Sequence, residues 1–371
     1  MRLSIRRIVT ICGGTSLAHA LAAVLAADPT NEIRVWTRQP QRWSSKVRAI
    51  YRDIAEVGGP LELVTDNLAE AVSGARLILI CTPLQTRGAL LQGIAPYLEN
   101  GAWVGGIPGF GGFDWEAGAI LGDRAIIFGL QRVPYVRKTI SYGEAVWISG
   151  IRPRLFVGAC PASEAPAIAH TLEGLLSIPT SPLSSYLPVS LSASNAIFHP
   201  ARLMSCFPAP LFRADPARGE QFYEDWDDVA SVAYLGLDDD IQTIARSLGV
   251  SASEAQPISE HFGASSPEAL TLRIRNIRAL RDRRLPLRGV LRALDRESSY
   301  VTEDACFALP ALKALADAAG IRTRWFDRAL RWTEQANGLS LLEGDRLAGT
   351  DSLSVPRPKA DHFYLPRQAG K

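Results

Sequence analysis

The feature that most constrains this chain is near its start, where a short apolar run, Ile8 to Cys12, meets Gly13-Gly14-Thr15-Ser16 and then the Ala/Leu-rich stretch Leu17 to Ala27. The run suits a buried parallel strand, and the Ala/Leu stretch suits a helix that Asp28-Pro29 stops. Between them, glycine permits a tight turn, and the free N–H groups of the helix start face outward, where they attract phosphate. Gly13-Gly14 and His19 interrupt the apolar residues, so the segment reads as strand, turn and helix rather than as a secretory leader. The three positions of a G-x-G-x-x-G fingerprint fall on Gly13, Thr15 and Ala18, and only the first is glycine. Taken alone, that motif is weak.

Its surroundings strengthen it. Glu32 to Trp36, Leu77 to Cys81, Ala102 to Gly106 and Ala125 to Gly129 read as further strands, separated by helical stretches at Gln41 to Ile54 and Thr86 to Leu98. Strands and helices alternating at this spacing build a parallel sheet. Two short β-like runs, Ala145 to Ser149 and Arg154 to Val157, flank Gly150-Ile151-Arg152-Pro153 and predict a hairpin. Ser- and Pro-rich residues from Pro179 to Pro188 mark a crossing. Beyond about Leu191, helical patterns dominate: Ser192 to Ser205, Gly219 to Leu248 with a break near Gly236, Ser251 to Phe262, Pro267 to Ala279, Leu309 to Ala319 and Trp325 to Ala336. The tail from Glu343 to Lys371 is polar and punctuated by Pro and Gly. With 371 residues, two domains are expected. They are an α/β Rossmann-type dinucleotide-binding domain over 1–185 and an all-α C-terminal domain over 186–371.

The candidate cofactor residues are Gly13, Gly14, Thr15, Ser16 and Leu17 at the turn, and Cys81, Thr82 and Pro83 at the end of a strand beside the ligand crevice. Where an NAD enzyme tends to place a carboxylate after its second strand, this chain has Thr37, Arg38 and Arg42. A carboxylate would repel a 2′-phosphate, whereas these residues attract it, so NADP(H) is expected over NAD(H). Cys81 is read as a packing residue, having no basic neighbour in sequence to lower its pKa. A formal net charge of +2 gives no field directed at nucleic acid. No uninterrupted apolar stretch is long enough to span a membrane. Five cysteines, none in a C-x-x-C pair, fit a reducing, cytoplasmic setting without a metal site.

In the second domain, Asn195 and His199 are four residues apart and share a helix face, with Arg202 three residues further on. An imidazole near neutral pH can exchange a proton with a reacting oxygen or nitrogen. Asn195 could fix a substrate carboxylate or carbonyl, and Arg202 could grip a carboxylate in bidentate fashion.

Several segments together resemble the opine dehydrogenases, the octopine and nopaline dehydrogenase group. They are Gly13 to Ala22, with its His-Ala after the glycine turn; Asn195-Ala196-Ile197-Phe198-His199-Pro200; Phe222-Tyr223-Glu224 with Leu237-Asp238-Asp239-Asp240 and Ile244 to Gly249; and Tyr300-Val301-Thr302-Glu303-Asp304. They occur in the family's order and cover most of the chain. The resemblance implies reductive condensation of an α-keto acid with the amine of an amino acid or related compound, giving a secondary-amine dicarboxylate. It implies His199 as the catalytic histidine and Asp304 as the carboxylate that orients it. One departure stands out: the family's arginine five residues before that aspartate is Ser299 here. Arg296 or Arg202 would substitute for it, and Trp226 would shape the amine pocket. The expected partners are small molecules, and the expected assembly is a homodimer. Two alternatives remain open. The first, a ketoacid or 3-hydroxyacid reductase of similar architecture, would be expected to use a lysine in this region, yet none lies between Lys138 and Lys313. The second is a non-catalytic NADP-binding sensor.

Overall fold

The computed structural model describes residues 7–51, 55–214 and 219–359. The chain forms two compact units that divide between Ser190 and Leu191. The expected boundary lay five residues earlier, at 185/186. Leu183, Tyr186 and Val189 stay with the first unit because they pack into its core, and the Tyr186 hydroxyl donates to the Gly109 carbonyl at 2.9 Å.

The first unit runs β1 (Arg7–Cys12), α1 (Ser16–Ala26), β2 (Asn31–Trp36), β3 (Lys46–Tyr51), β4 (Glu56–Pro60), β5 (Leu63–Thr65) and α2 (Leu68–Val72). It continues through β6 (Leu77–Ile80), α3 (Arg87–Ile94), β7 (Ala102–Gly106), α4 (Phe113–Leu121) and β8 (Ala125–Leu130). It ends with β9 (Tyr135–Ser141), β10 (Ala145–Ile151), β11 (Leu155–Cys160), α5 (Ala165–Leu176), β12 (Thr180–Pro182) and α6 (Leu187–Leu191), whose last residue crosses the division. Eight strands form the main sheet in the order β12-β11-β8-β7-β6-β1-β2-β5. All neighbours in it are parallel except β11 and β8. This is the expected α/β nucleotide-binding sheet, with β1 central and its last four residues buried.

Two expectations about this unit need correcting. Residues Gln41 to Ile54 are not a helix: a short turn, Pro40–Arg42, leads into β3, and residues 52–54 lie outside the described residues. The run Lys46-Val47-Arg48-Ala49 alternates exposed and buried positions, which is a strand period. The four-stranded sheet β4-β3-β10-β9 that contains β3 packs on α1. That cover explains why α1 is buried nearly all round, including Leu17, Leu21 and Leu25. Nor do the two runs around Gly150 pair with each other. β10 pairs antiparallel with β9, a strand the sequence reading missed, while β11 joins the main sheet beside β8. The tight turn lies earlier, at Tyr142-Gly143, where Gly143 has φ +79°. A side chain there would also strike the Arg42 carbonyl.

The second unit contains α7 (Ser194–Cys206), α8 (Asp228–Ser247), α9 (Ile258–Phe262) and α10 (Pro267–Arg275). A two-residue ladder follows, β13 (Leu287–Arg288) with β14 (Ala293–Leu294). Then come a π-helical segment, Tyr300–Ala308, α11 (Leu309–Ala318) and α12 (Arg324–Asn337). This is the expected helical domain. α8 starts at Asp228 and not at Gly219, because Asp227 caps it by accepting from the Ala230 N–H at 2.8 Å. It runs unbroken through Gly236, which is glycine because the Trp325 ring lies where a β-carbon would project. Ser251 to Phe262 is helical only from Ile258, since Pro257 fixes the start. Residues 360–371 of the expected tail lie outside the described residues.

Candidate functional site

His199 is in the middle of α7, one turn after Asn195, and is 4% exposed. Pro200 follows inside the helix and has no N–H to give to the carbonyl four residues back. α7 packs against α8 and against the π-helical segment. The segment's wider i→i+5 winding, closed by the Leu309 N–H on the Asp304 carbonyl, turns Asp304 inward. π-type windings of this kind are rare and often occur at functional sites. Asp304 is thus a buried carboxylate, 6% exposed.

Asp304 Oδ2 lies 2.6 Å from His199 Nδ1. A carboxylate accepts, so Nδ1 carries the donated proton and Nε2 is directed elsewhere. Nε2 meets the Tyr223 hydroxyl at 2.8 Å. The Tyr300 ring lies 4.3 Å from the imidazole, centroid to centroid, and Phe222 meets it edge-on at 5.4 Å. Burial pushes the Tyr223 phenol well above its usual range and raises Tyr300 as well, while Arg283 is the cation that acts against both shifts. Tyr223 therefore stays a neutral hydroxyl at working pH, able to accept and pass a proton but not to rest as a phenolate. Sequence reasoning named Tyr223 and Tyr300 only as parts of matching segments. Their placement beside His199, Tyr223 buried and Tyr300 half-buried, comes from helix packing, which no local pattern encodes.

The other candidates in this unit are placed differently. Asn195 is exposed on the first turn of α7. Arg202 is completely buried, and its guanidinium donates to Asp227 at 2.9 Å and to the Phe222 carbonyl at 3.1 Å. It is committed to holding the 220–228 segment, not presented to a ligand. Trp226 is also fully buried, donating from Nε1 to Ser231 at 2.9 Å, and so serves packing rather than a pocket wall. Arg296 and Ser299 are both exposed.

The candidate cofactor residues all lie in the first unit. Gly13 has φ +141°, and a β-carbon on it would lie 2.9 Å from the Cys81 carbonyl. The turn and the end of β6 thus approach as closely as backbones allow, which only glycine permits. Thr15 caps α1 by accepting from the Ala18 N–H, and donates from its own hydroxyl to Cys81 O at 3.0 Å. No acidic residue occupies the first turn of α1, which starts at Ser16 and Leu17, so the positive end of the helix is open to an anion. Thr82 Oγ is buried without a protein partner at the end of β6, next to Pro83. Thr37 is buried at the end of β2, and Arg38 and Arg42 are exposed after it. The cradle, the open helix end and the orphan hydroxyl fit a dinucleotide. Burial pushes the Cys81 thiol up to about 12, which removes it as a nucleophile and agrees with a packing role. Among the described residues no cluster of His, Cys, Asp and Glu could hold a metal, and no helix is long and apolar enough to cross a membrane.

Residues 182–337 match the family model of the NAD/NADP octopine/nopaline dehydrogenase alpha-helical domain. Over these residues, and through its relatives over most of its length, the chain is similar to the opine dehydrogenase family. Its relatives include the y4xO protein of Sinorhizobium fredii, 28% identical over 89% of this chain and 95% of that protein. Tauropine dehydrogenase of Arabella iricolor is 23% identical over 96% of this chain and 98% of its own length. Among solved structures, octopine dehydrogenase with NADH and L-arginine superposes with a TM-score of 0.80, at 21% identity over 95% of both chains. Yersinopine dehydrogenase with NADP+ bound gives 0.68, at 17% identity over 97% and 99%. Both share this fold. The matched domain is that of NAD/NADP-dependent dehydrogenases.

Proposed function

We propose that this protein is an opine dehydrogenase that uses NADPH to join an α-keto acid to the amino group of an amino acid or related amine, giving a secondary-amine dicarboxylate. The observation that carries the reading is the buried His199–Asp304 pair, with Tyr223 on the free nitrogen of the imidazole. Condensation of an amine with a ketone needs a proton taken from the ammonium and one given to the departing hydroxyl. His199 Nε2 exchanges both, through or beside the Tyr223 hydroxyl, while Asp304 holds the ring in one tautomer. When bound, a reduced nicotinamide would supply the hydride for the reduction. Gly13 to Leu17 would take the pyrophosphate, Thr37, Arg38 and Arg42 the 2′-phosphate, and Cys81 to Pro83 would line the nicotinamide side. Asn195, Arg296 and the Arg283 that acts on both phenols are the polar groups assigned to substrate carboxylates, which leaves Arg202 its structural task. A cytoplasmic homodimer belongs to the same proposal.

The test is NADPH oxidation, followed by the cofactor's own absorbance, with a panel of keto acids, each with and without amino acids and polyamine-like amines. Oxidation that needs both partners and collapses in His199→Ala supports the reading. Oxidation with a keto acid alone refutes the condensation and moves the enzyme to the simple ketoacid reductases. NADPH binding without turnover on any pair leaves the sensor alternative standing in its place.

A further inference from the structure

The tip of the β9–β10 hairpin reaches over the glycine turn. A β-carbon built on Gly14 would overlap the Tyr142 hydroxyl and lie 3.2 Å from Thr37 Oγ. Three parts of the chain therefore converge at one point: the turn after β1, the end of β2 and the hairpin tip. Thr37 Oγ accepts from the Gln39 N–H at 3.4 Å and keeps its own proton to donate. The Arg42 guanidinium lies 4.5 Å above the centre of the Tyr142 ring and donates to Gln39 Oε1 at 2.8 Å. Two hydroxyl donors and a planar cation thus gather beside the turn.

What holds the tip there is His19. Its ring is fully buried in α1. Nε2 accepts from the Gly143 N–H at 2.7 Å, and Nδ1 lies 2.8 Å from the carbonyl of Thr15, the residue that caps the same helix. An N–H donor fixes Nε2 as the acceptor, so the neutral ring carries its proton on Nδ1. The ring stacks on Trp43 at 4.1 Å and meets the Tyr142 edge at 5.0 Å. The Ser44 N–H donates to the Gly143 carbonyl at 3.0 Å, seating the tip on the loop after β2.

We propose that Tyr142 and the Arg42 stacked on it form the outer wall of the site for a phosphate monoester on the adenosine ribose, with His19 as the residue that positions that wall. The proposal rests on the NADPH reading above. Its chemistry follows from the donor set: a ribose diol wants a carboxylate acceptor, whereas two hydroxyls and a guanidinium suit a doubly charged phosphate. Tyr142 comes from a hairpin whose next residue, Gly143, is 124 residues beyond His19, so it reads a part of the cofactor that the fingerprint does not.

The test is the dissociation constant of the intact protein for NADPH and for NADH, measured by tryptophan fluorescence and calorimetry. The variants are Tyr142→Phe, His19→Ala and His19→Gln, each checked for native circular dichroism. Loss of one charge-assisted hydrogen bond predicts that Tyr142→Phe weakens NADPH by about tenfold and NADH by far less. His19→Ala should show the same selective loss. His19→Gln, which can still accept from Gly143, should recover part of it. A preference for NADPH that survives in both Tyr142→Phe and His19→Ala overturns this role while leaving the NADPH reading intact. Equal losses for both cofactors reduce the hairpin to a structural prop. A wild-type protein with no preference for NADPH removes both the wall and the reading beneath it.

Discussion

Asp304→Asn isolates what the carboxylate does for His199. The substitution keeps the shape of the side chain and removes its charge from a 2.6 Å contact between two buried groups. The amide can then meet Nδ1 with its oxygen or with its NH2. In the second arrangement the ring proton is driven to Nε2, where it can no longer accept from Tyr223. The hydrogen bond lost is a charge-assisted one, worth about 2 kcal/mol. For units of this size that lowers Tm by about 5 °C, which leaves a folded enzyme to assay. The catalytic loss should be larger than the structural one. Positioned acid–base catalysis contributes roughly 10²–10⁴-fold, and a misdirected imidazole forfeits most of it. The expected outcome is a fall in kcat of at least about a hundredfold in NADPH oxidation with the productive substrate pair. Cofactor affinity should be unchanged, because the candidate cofactor residues all belong to the first unit. A folded Asp304→Asn enzyme turning over within about threefold of wild type, well short of that range, would refute the assigned role of the pair.

Other consequences are as specific. Gly13→Ala places a β-carbon 2.9 Å from the Cys81 carbonyl on a backbone with φ +141°. NADPH binding, read by fluorescence, should weaken by about tenfold or more, as expected for strain of a few kcal/mol at the turn. Burial lowers the pKa of His19 in the folded state, so its stabilising effect is complete above about pH 6.5 and is lost as pH falls toward the folded value. Thermal melts should show wild type losing Tm below that pH more steeply than His19→Gln. Asp240 accepts from the Trp325 and Phe326 N–H groups, each at 2.8 Å, and so caps α12 from α8. Asp240→Ala should cost about 2 kcal/mol in urea unfolding, and an unchanged midpoint would show that solvent takes over the cap. Arg202→Met removes the partner of Asp227. It should lower the unfolding midpoint without the selective rise in substrate KM that a substrate-binding arginine would show.

Some of this protein was determined by local sequence. The run from Ile8 through Gly13 to Ala27 had one stable reading, because apolar continuity, a glycine turn and an Ala/Leu helix are each near-neighbour properties. The same holds for α7, α11 and α12, whose periodicity is strong. His199 was named because its segment resembles the Asn-x-x-x-His-Pro element of the opine dehydrogenases, and its spacing from Asn195 alone did not single it out.

Tertiary structure decided the rest. Lys46 to Tyr51 became a strand because a sheet covers α1, and β10 chose β9 over β11 because Gly143 and not Gly150 makes the tight turn. Strand partners are chosen by contacts distant in sequence, which period alone does not specify. Arg202 lies one helical turn from His199, yet Asp227, 25 residues away, takes its charge. The sequence placed a carboxylate at 304 and a tyrosine at 223 without relating them. The π-helical winding and the packing of α7 bring both to the two nitrogens of one ring. A histidine's chemistry depends on what each of its nitrogens meets, and that is a property of packing rather than of order along the chain.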